Sequence, residues 1–198
     1  MQNEEQLLEG LRRGDNAAYS ELLRVYGPTL LGYATRLIGN RDDAEEAVQE
    51  AIVSIIGHIN RFEGRCSLRS WLFRIVHHKS VDQLRRGARY VTVSEDNDPL
   101  EDKFTRLGKW AEDVYAWENS PEAQVDARQM LEIVHRKMND LPHNYRQMLL
   151  LREVYQLDTP EICEILDVTP VHARVMLHRA RQALYQAVET YRKQRGST

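Results

Sequence analysis

Residues 157–184 read LDTPEICEILDVTPVHARVMLHRARQAL, and the fold is decided here. Asp158-Thr159-Pro160-Glu161 combines a capping side chain, a proline early in the helix and a glutamate three residues after the cap, which predicts a short helix through Leu166. Asp167-Val168 predicts a tight turn, and Thr169-Pro170 opens a second helix toward Ala187. Short helix, tight turn and second helix make a helix-turn-helix. Along the second helix Arg174, His178 and Arg181 fall three to four residues apart and share one face, flanked by His172 and Arg179. Such a face fits a DNA major groove, where arginine reaches guanine edges. A helical hairpin with a solvated basic face has the same pattern, and the spacing alone leaves both readings open.

Working back toward the amino terminus, helical periodicity runs from Pro121 through Met130, Leu131, Val134 and Met138. Leu141-Pro142 opens the next helix, whose buried side is Met148, Leu149, Leu150 and Leu151. Between about Ala88 and Glu122 the periodicity lapses, and nine acidic residues stand against Arg89, Lys103, Arg106 and Lys109. That stretch reads as a linker, with Phe104, Leu107, Trp110, Val114, Tyr115 and Trp117 able to dock on a neighbouring surface. Farther back, apolar residues recur through Leu7, Leu8 and Leu11, then Tyr19, Leu22, Leu23 and Tyr26, then Leu30, Leu31, Ala34, Leu37 and Ile38. These predict separate amphipathic helices, the second capped by Asp15 or Asn16 and the third opened by Pro28 and ended at Gly39-Asn40. Asp42 or Asp43 caps the next helix, which runs to about Ile59 with Glu45 and Glu46 in its first turn. After the turn Phe62-Glu63-Gly64-Arg65-Cys66, Ser67 caps a long helix from Leu68 to about Arg86. The expected architecture is all-α: two small helical domains, 1–88 and 122–198, joined by an acidic linker over 89–121.

The chain has 198 residues with a formal net charge of −3, which by itself argues against a polyanionic partner. Its distribution reverses that impression. From Arg61 to Arg89 eight Lys/Arg stand against Glu63 and Asp82, and from Thr169 to Thr198 six stand against Glu189. Acid concentrates in Asp42–Glu50 and Glu95–Glu122, so charge is segregated by segment and suggests at least two kinds of partner surface. No apolar run approaches the roughly 20 residues of a membrane span, and the polar start from Met1 to Gly14 lacks a secretory signal, so the expected location is the cytosol without membrane insertion. Cys66 and Cys163 stand alone and suggest neither a disulfide framework nor a metal site. No zinc-hydrolase, phosphate-loop or nucleophile-elbow pattern occurs, which leaves an enzyme or a cofactor without footing.

The residues themselves resemble a family. Leu-Leu-Arg-Glu-Val-Tyr-Gln-Leu from Leu150, Glu-Ile-Cys-Glu-Ile-Leu from Glu161 and Leu-His-Arg-Ala-Arg-Gln-Ala-Leu from Leu177 look like sigma region 4, and Leu141-Pro142 and Arg146 fit it. Asp-Asp-Ala-Glu-Glu-Ala-Val-Gln-Glu-Ala from Asp42 and Arg-Phe-Glu-Gly-Arg-Cys-Ser-Leu-Arg-Ser-Trp-Leu-Phe-Arg-Ile from Arg61 look like sigma region 2. Two matches in this order, with nothing more between them than a linker, resemble the extracytoplasmic-function group of sigma-70 RNA polymerase sigma factors.

That resemblance implies a subunit that brings promoter specificity to core RNA polymerase, held at the β′ clamp and the β flap, and controlled by an anti-sigma factor. It implies that Asp43, Glu46, Gln49 and Glu50 meet the β′ clamp. Phe62, Glu63, Gly64, Arg65, Cys66 and Ser67 would form the pocket for an extruded base of the promoter −10 element, with His77, His78 and Lys79 on the strand and Arg85 and Arg86 on phosphates. The −35 element would be read by His172, Arg174, Val175, His178, Arg179 and Arg181, with Arg152 on the backbone. Where the family usually runs Gly-Thr-Val-Lys-Ser-Arg, this chain has Val171-His172-Ala173-Arg174-Val175-Met176.

Overall fold

The protein is described by a computed structural model over residues 2–87 and 121–195, and the regular elements among those residues are helical. The expected linker, with its aromatic residues from Phe104 to Trp117, lies almost wholly outside the described residues. Helix α1 (Gln2–Arg13) crosses α2 (Asn16–Ile38) where Gly10 comes so close to Ala18 that a Cβ on residue 10 would lie 2.7 Å from the alanine methyl. Only glycine fits that crossing.

Two helices expected between Tyr19 and Ile38 are one. Pro28 lies inside α2, and a proline in a helix interior costs about 3 kcal/mol through its missing N–H and ring clash. The apolar stripe repays that cost by running through the proline in a single register: Leu22, Leu30, Tyr33, Ala34, Leu37 and Ile38 are all buried. Each such side chain contributes roughly 1.5–3 kcal/mol when removed from water. Gly39, at φ 80°, ends the helix with its N–H on the Thr35 carbonyl.

Helix α3 (Arg41–His58) is capped two residues before the earlier of the expected caps, by Asn40, whose side chain accepts from the N–H groups of Asp42 and Asp43. Those two carboxylates are thereby left in the first turn, where the helix dipole favours them. The inner stripe of α3 is Ala44, Ala47, Val48, Ala51 and Ile55. Three alanines allow close approach to α2 and α4, while Ile56 and Val53 are exposed at 43% and 70%. A 3₁₀ turn (Ile59–Arg61) leads to the Gly64 turn and then to α4 (Leu68–Arg86), capped by the Ser67 hydroxyl as expected. Leu68, Leu72, Phe73, Val76 and Leu84 of α4 close the core against α2 and α3.

The chain's compact units follow packing rather than sequence order. Among the described residues, one comprises 2–87 with 150–173, and the other 121–149 with 174–195. Within the first, a π-helical turn over Leu150–Val154 and α7 (Thr159–Leu166) belong with α1–α4, and α7 packs on α4. Asp158 and Glu161 form the expected reciprocal capping box, and Asp167, at φ 54°, ends α7 in the turn before Pro170. The other unit holds α5 (Pro121–Asp140), α6 (His143–Leu149) and most of α8 (Pro170–Arg195). There Arg146 donates to the carbonyls of Met138 and Asn139, tying off the end of α5, and Tyr191 donates to Gln129 at 2.5 Å. No described helix is long and apolar enough to cross a membrane.

Candidate nucleic-acid interface

The turn between the 3₁₀ element and α4 is rigid at both ends. Phe62 is buried against Trp71, with ring centroids 5.3 Å apart, and Arg12 donates to the Phe62 carbonyl at 2.8 Å. At the other end the Ser67 hydroxyl accepts from the Ser70 N–H at 3.1 Å and lies 2.8 Å from the Ser70 hydroxyl. Between them Gly64 adopts φ 72°, and Glu63 and Arg65 form an exposed ion pair at 2.6 Å. Phe62 thus serves as a wall and a spring for the turn, not as an exposed stacking ring. Cys66 is half-buried; burial pushes its thiol pKa up, and the neighbouring Glu164 carboxylate pushes it further.

Beside the turn, an open cavity of about 370 Å³ lies between α3 and α4, lined by Ser54, His58, Arg61, Trp71, Ile75, His78, Lys79 and Asp82. An indole with four histidine, arginine and lysine side chains around it offers a stacking surface and phosphate contacts together. His78 and Lys79 were anticipated here, whereas His58, Arg61 and Trp71 were not. No local signal could have grouped them, because the cavity forms only when two helices cross.

His77 does not reach this surface. It is buried, its Nδ1 2.9 Å from the Tyr33 hydroxyl, and burial with the nearby charge of His78 lowers its pKa to about 3. The adjacent residue on a helix points about 100° away, so the pair His77-His78 divides between core and solvent. His77 is a structural hydrogen-bonding residue, and the strand contact expected of it is corrected.

The acidic side of α3 and the basic end of α4 meet. Arg86 donates to both oxygens of Glu50 at 2.9 and 3.1 Å, Lys79 lies 3.4 Å from Glu50, and Gln83 donates to Glu46 at 3.0 Å. The Arg86 guanidinium beside Glu50 holds that carboxyl below its usual range. Glu46 and Glu50, expected at one macromolecular surface, therefore share charge with Lys79 and Arg86, expected at another. Asp43 and Gln49 lie on the same helix, Gln49 exposed.

In α8 the Thr169 hydroxyl accepts from the His172 N–H at 3.2 Å, fixing the first turn. Arg174, Val175 and His178 are exposed, with Val171 one turn earlier; His172, Arg179 and Arg181 are half-buried at the margins. The opposite stripe, Ala173, Met176, Ala180 and Ala183, is buried. Arg152 donates to the Leu157 carbonyl at 3.0 Å and so braces the π turn from within.

Two further side chains make long-range contacts that the sequence does not signal. Tyr155 is buried, its ring 5.5 Å from Tyr33 and 5.1 Å from Phe73, with Arg69 donating to its carbonyl at 2.6 Å. Glu161 accepts the Ser67 hydroxyl at 3.0 Å and also the Ser70 hydroxyl. Burial opposes ionisation of Glu161, but the Ser70, Asp158 and Ser67 donors outweigh it and keep its pKa low.

Residues 22–90 match the family described as sigma-70 region 2, and residues 131–184 match sigma-70 region 4. The chain is 24% identical over 177 residues to the ECF RNA polymerase sigma factor SigW of Bacillus subtilis, covering 89% of this chain and 92% of that protein. It is 26% identical over 183 residues to the ECF RNA polymerase sigma-E factor of Escherichia coli, covering 92% and 93%. Its fold is similar to that of CnrH in complex with the cytosolic domain of CnrY, with TM-score 0.64, 20% identity and coverage of 94% and 97%. It is likewise similar to the sigma factor RpoE in complex with the anti-sigma factor NepR from Bartonella quintana, with TM-score 0.58, 21% identity and coverage of 86% and 95%.

Proposed function

The chain belongs to the extracytoplasmic-function group of the sigma-70 family, and we propose from that premise that it binds core RNA polymerase and directs promoter-specific transcription initiation in the cytoplasm. The observation that carries the reading is the pairing of two family-matched segments, each bearing a surface of the right chemistry. In residues 22–90 a fixed turn adjoins an aromatic, cationic cavity; in residues 131–184 a capped helix presents Arg174 and His178.

Melting a promoter requires a single strand to be held once its bases leave the stack, which costs a few kcal/mol. The turn Phe62–Ser67 supplies a rigid frame for an extruded base of the −10 element. His78, Lys79, Arg85 and Arg86 supply cations along the strand, and Trp71 supplies a stacking face. Arg174, Val175, His178 and Arg181, flanked by His172 and Arg179, read the −35 duplex, and Arg152 supports the turn behind them. On α3, Asp43, Glu46, Gln49 and Glu50 engage the β′ clamp, with exposed Val53 and Ile56 adding apolar area beside the acids. An anti-sigma factor, the kind of partner with which the Bartonella quintana protein is in complex, holds this chain silent. The functional division is 1–88 for the −10 element and core, 122–198 for the −35 element and the β flap, and 89–121 as the connection.

The test is capture of core polymerase followed by run-off transcription from a promoter library, with wild type and the double variant Asp43→Arg/Gln49→Ala. Promoter-specific transcripts that disappear with the double variant support the reading. Absence of core binding, with duplex DNA bound by the chain alone, overturns it in favour of a conventional helix-turn-helix regulator.

A further inference from the structure

We propose that helix α1 shapes the base-reading turn: Arg12 and Glu4 are positioning residues that hold its two ends and so set how strictly it selects the extruded base. The inference rests on the function proposed above for Phe62–Ser67.

Helix α1 (Gln2–Arg13) stands ahead of the family-matched residues 22–90 and carries none of the promoter- or clamp-facing side chains named above. It nevertheless reaches both ends of the turn. Arg12 Nη2 donates to the Phe62 carbonyl at 2.8 Å, fifty positions along the chain, whereas its neighbour Arg13 pairs locally with Asp15 at 3.3 Å. Glu4 Oε1 accepts the Leu68 N–H at 3.3 Å. Leu68 opens α4, so its N–H is one of the donors that a helix start leaves unsatisfied, and a carboxylate there also suits the helix dipole. The Phe62 carbonyl is the acceptor at the entry to the turn, and the Leu68 N–H is the donor just past its exit.

The turn needs such anchors because its middle does not define its own shape. Gly64 sits at φ 72°, and a glycine leaves the chain more conformations than any other residue. The bond from Arg12 fixes the plane of the peptide that leads into that glycine, and a charged donor makes it stronger than a neutral one would. Docking of α1 itself does not depend on these contacts. Leu11 is buried, the Tyr19 hydroxyl donates to its carbonyl at 3.2 Å, and the close crossing of Gly10 with Ala18 fixes α1 along α2. Arg12 is exposed. Its loss therefore frees the entry to the turn and leaves α1 in place.

The full-length chain carries the test. In Arg12→Ala, NMR relaxation of the Gly64 amide should show its order parameter falling from about 0.85 to below about 0.6, while buried amides of α4 keep theirs. The same protein is then assembled with core polymerase on a promoter found by run-off transcription, and each −10 position is substituted in turn. A fluorescent aminopurine that brightens on leaving the stack marks the extruded position. Arg12→Ala should lower base discrimination there about tenfold, the weight of one hydrogen bond from a charged donor, with the other −10 positions and core capture unchanged. Arg12→Lys, which keeps a cationic donor, should restore part of the discrimination, and Glu4→Gln, which keeps an acceptor for Leu68, should show the smaller loss. A Gly64 amide as rigid in Arg12→Ala as in the wild type overturns the inference, and so does a loosened turn with unaltered discrimination. Equal losses at every −10 position together with a lower melting temperature make Arg12 a folding residue and overturn it as well. Wild-type holoenzyme without base discrimination in the −10 strand overturns the proposed function and this inference with it, whereas the variant results overturn the inference alone.

Discussion

Lowering the pH from 8 to 5 should destabilise this protein through one buried side chain, His77, and the size of the effect follows from its environment. Its pKa falls from 6.5 to about 3 in the folded chain because a charged imidazole there would lose its hydration. The unfolded chain takes up a proton on this residue below pH 6.5 and the folded chain does not, so its contribution to stability is complete above 6.5 and is lost as the pH falls toward 3. At pH 5 the unfolded state gains about 2 kcal/mol from that proton, from 1.36 kcal/mol for each pH unit below 6.5. Other groups titrate over the same interval, so the comparison is with His77→Gln, which keeps a polar partner for Tyr33 and has no charge to gain. Urea unfolding at pH 8 and pH 5 should show that the wild type loses about 2 kcal/mol more than the variant. Parallel losses in the two proteins, or an imidazole at position 77 that titrates near 6.5 by NMR, would refute the reasoning.

Leu72→Ala empties a fully buried site where α4 meets α2 and α3 and should cost about 2–5 kcal/mol, read as a lower urea midpoint at unchanged m-value. Arg174→Ala and His178→Ala should weaken binding to −35 duplex promoters by about tenfold or more for the arginine, while capture of core polymerase is unchanged. Glu50→Gln removes the charge that Arg86 and Lys79 share; the melting temperature should stay nearly where it is, because exposed pairs contribute little, while capture of core falls in a salt-dependent way.

How far the fold could be read depended on how far apart the deciding residues lie. The cap at Ser67 and the span of α4, like the capping box of α7 and the turn after it, are set by residues within four positions of one another, and they were expected where they are found. Pro28 shows the opposite case. Its local rule predicts a helix start, yet the stripe from Leu22 to Ile38 stays in register through it because burial against α3 and α4 outweighs one lost hydrogen bond. The acidic and basic segments were legible as separate patches, but not that Glu50 would meet Lys79 and Arg86, since that pairing depends on the crossing of α3 and α4.

The same limit explains why His77 and Glu161 were each read in only one of their settings. His77 and His78 are indistinguishable by residue type and by local spacing; the phase of α4 against Tyr33 decides that one is core and the other surface. Glu161 satisfies a local rule so completely that nothing in its neighbourhood calls for a second partner. A carboxylate has two oxygens and about four lone-pair sites, however, and a capping box uses one oxygen. The other is free to take a long-range donor, and in this chain it takes two hydroxyls from the segment proposed to read DNA. A residue whose local role is already fulfilled can take on such a contact unsignalled, because the helix that carries it does not depend on it.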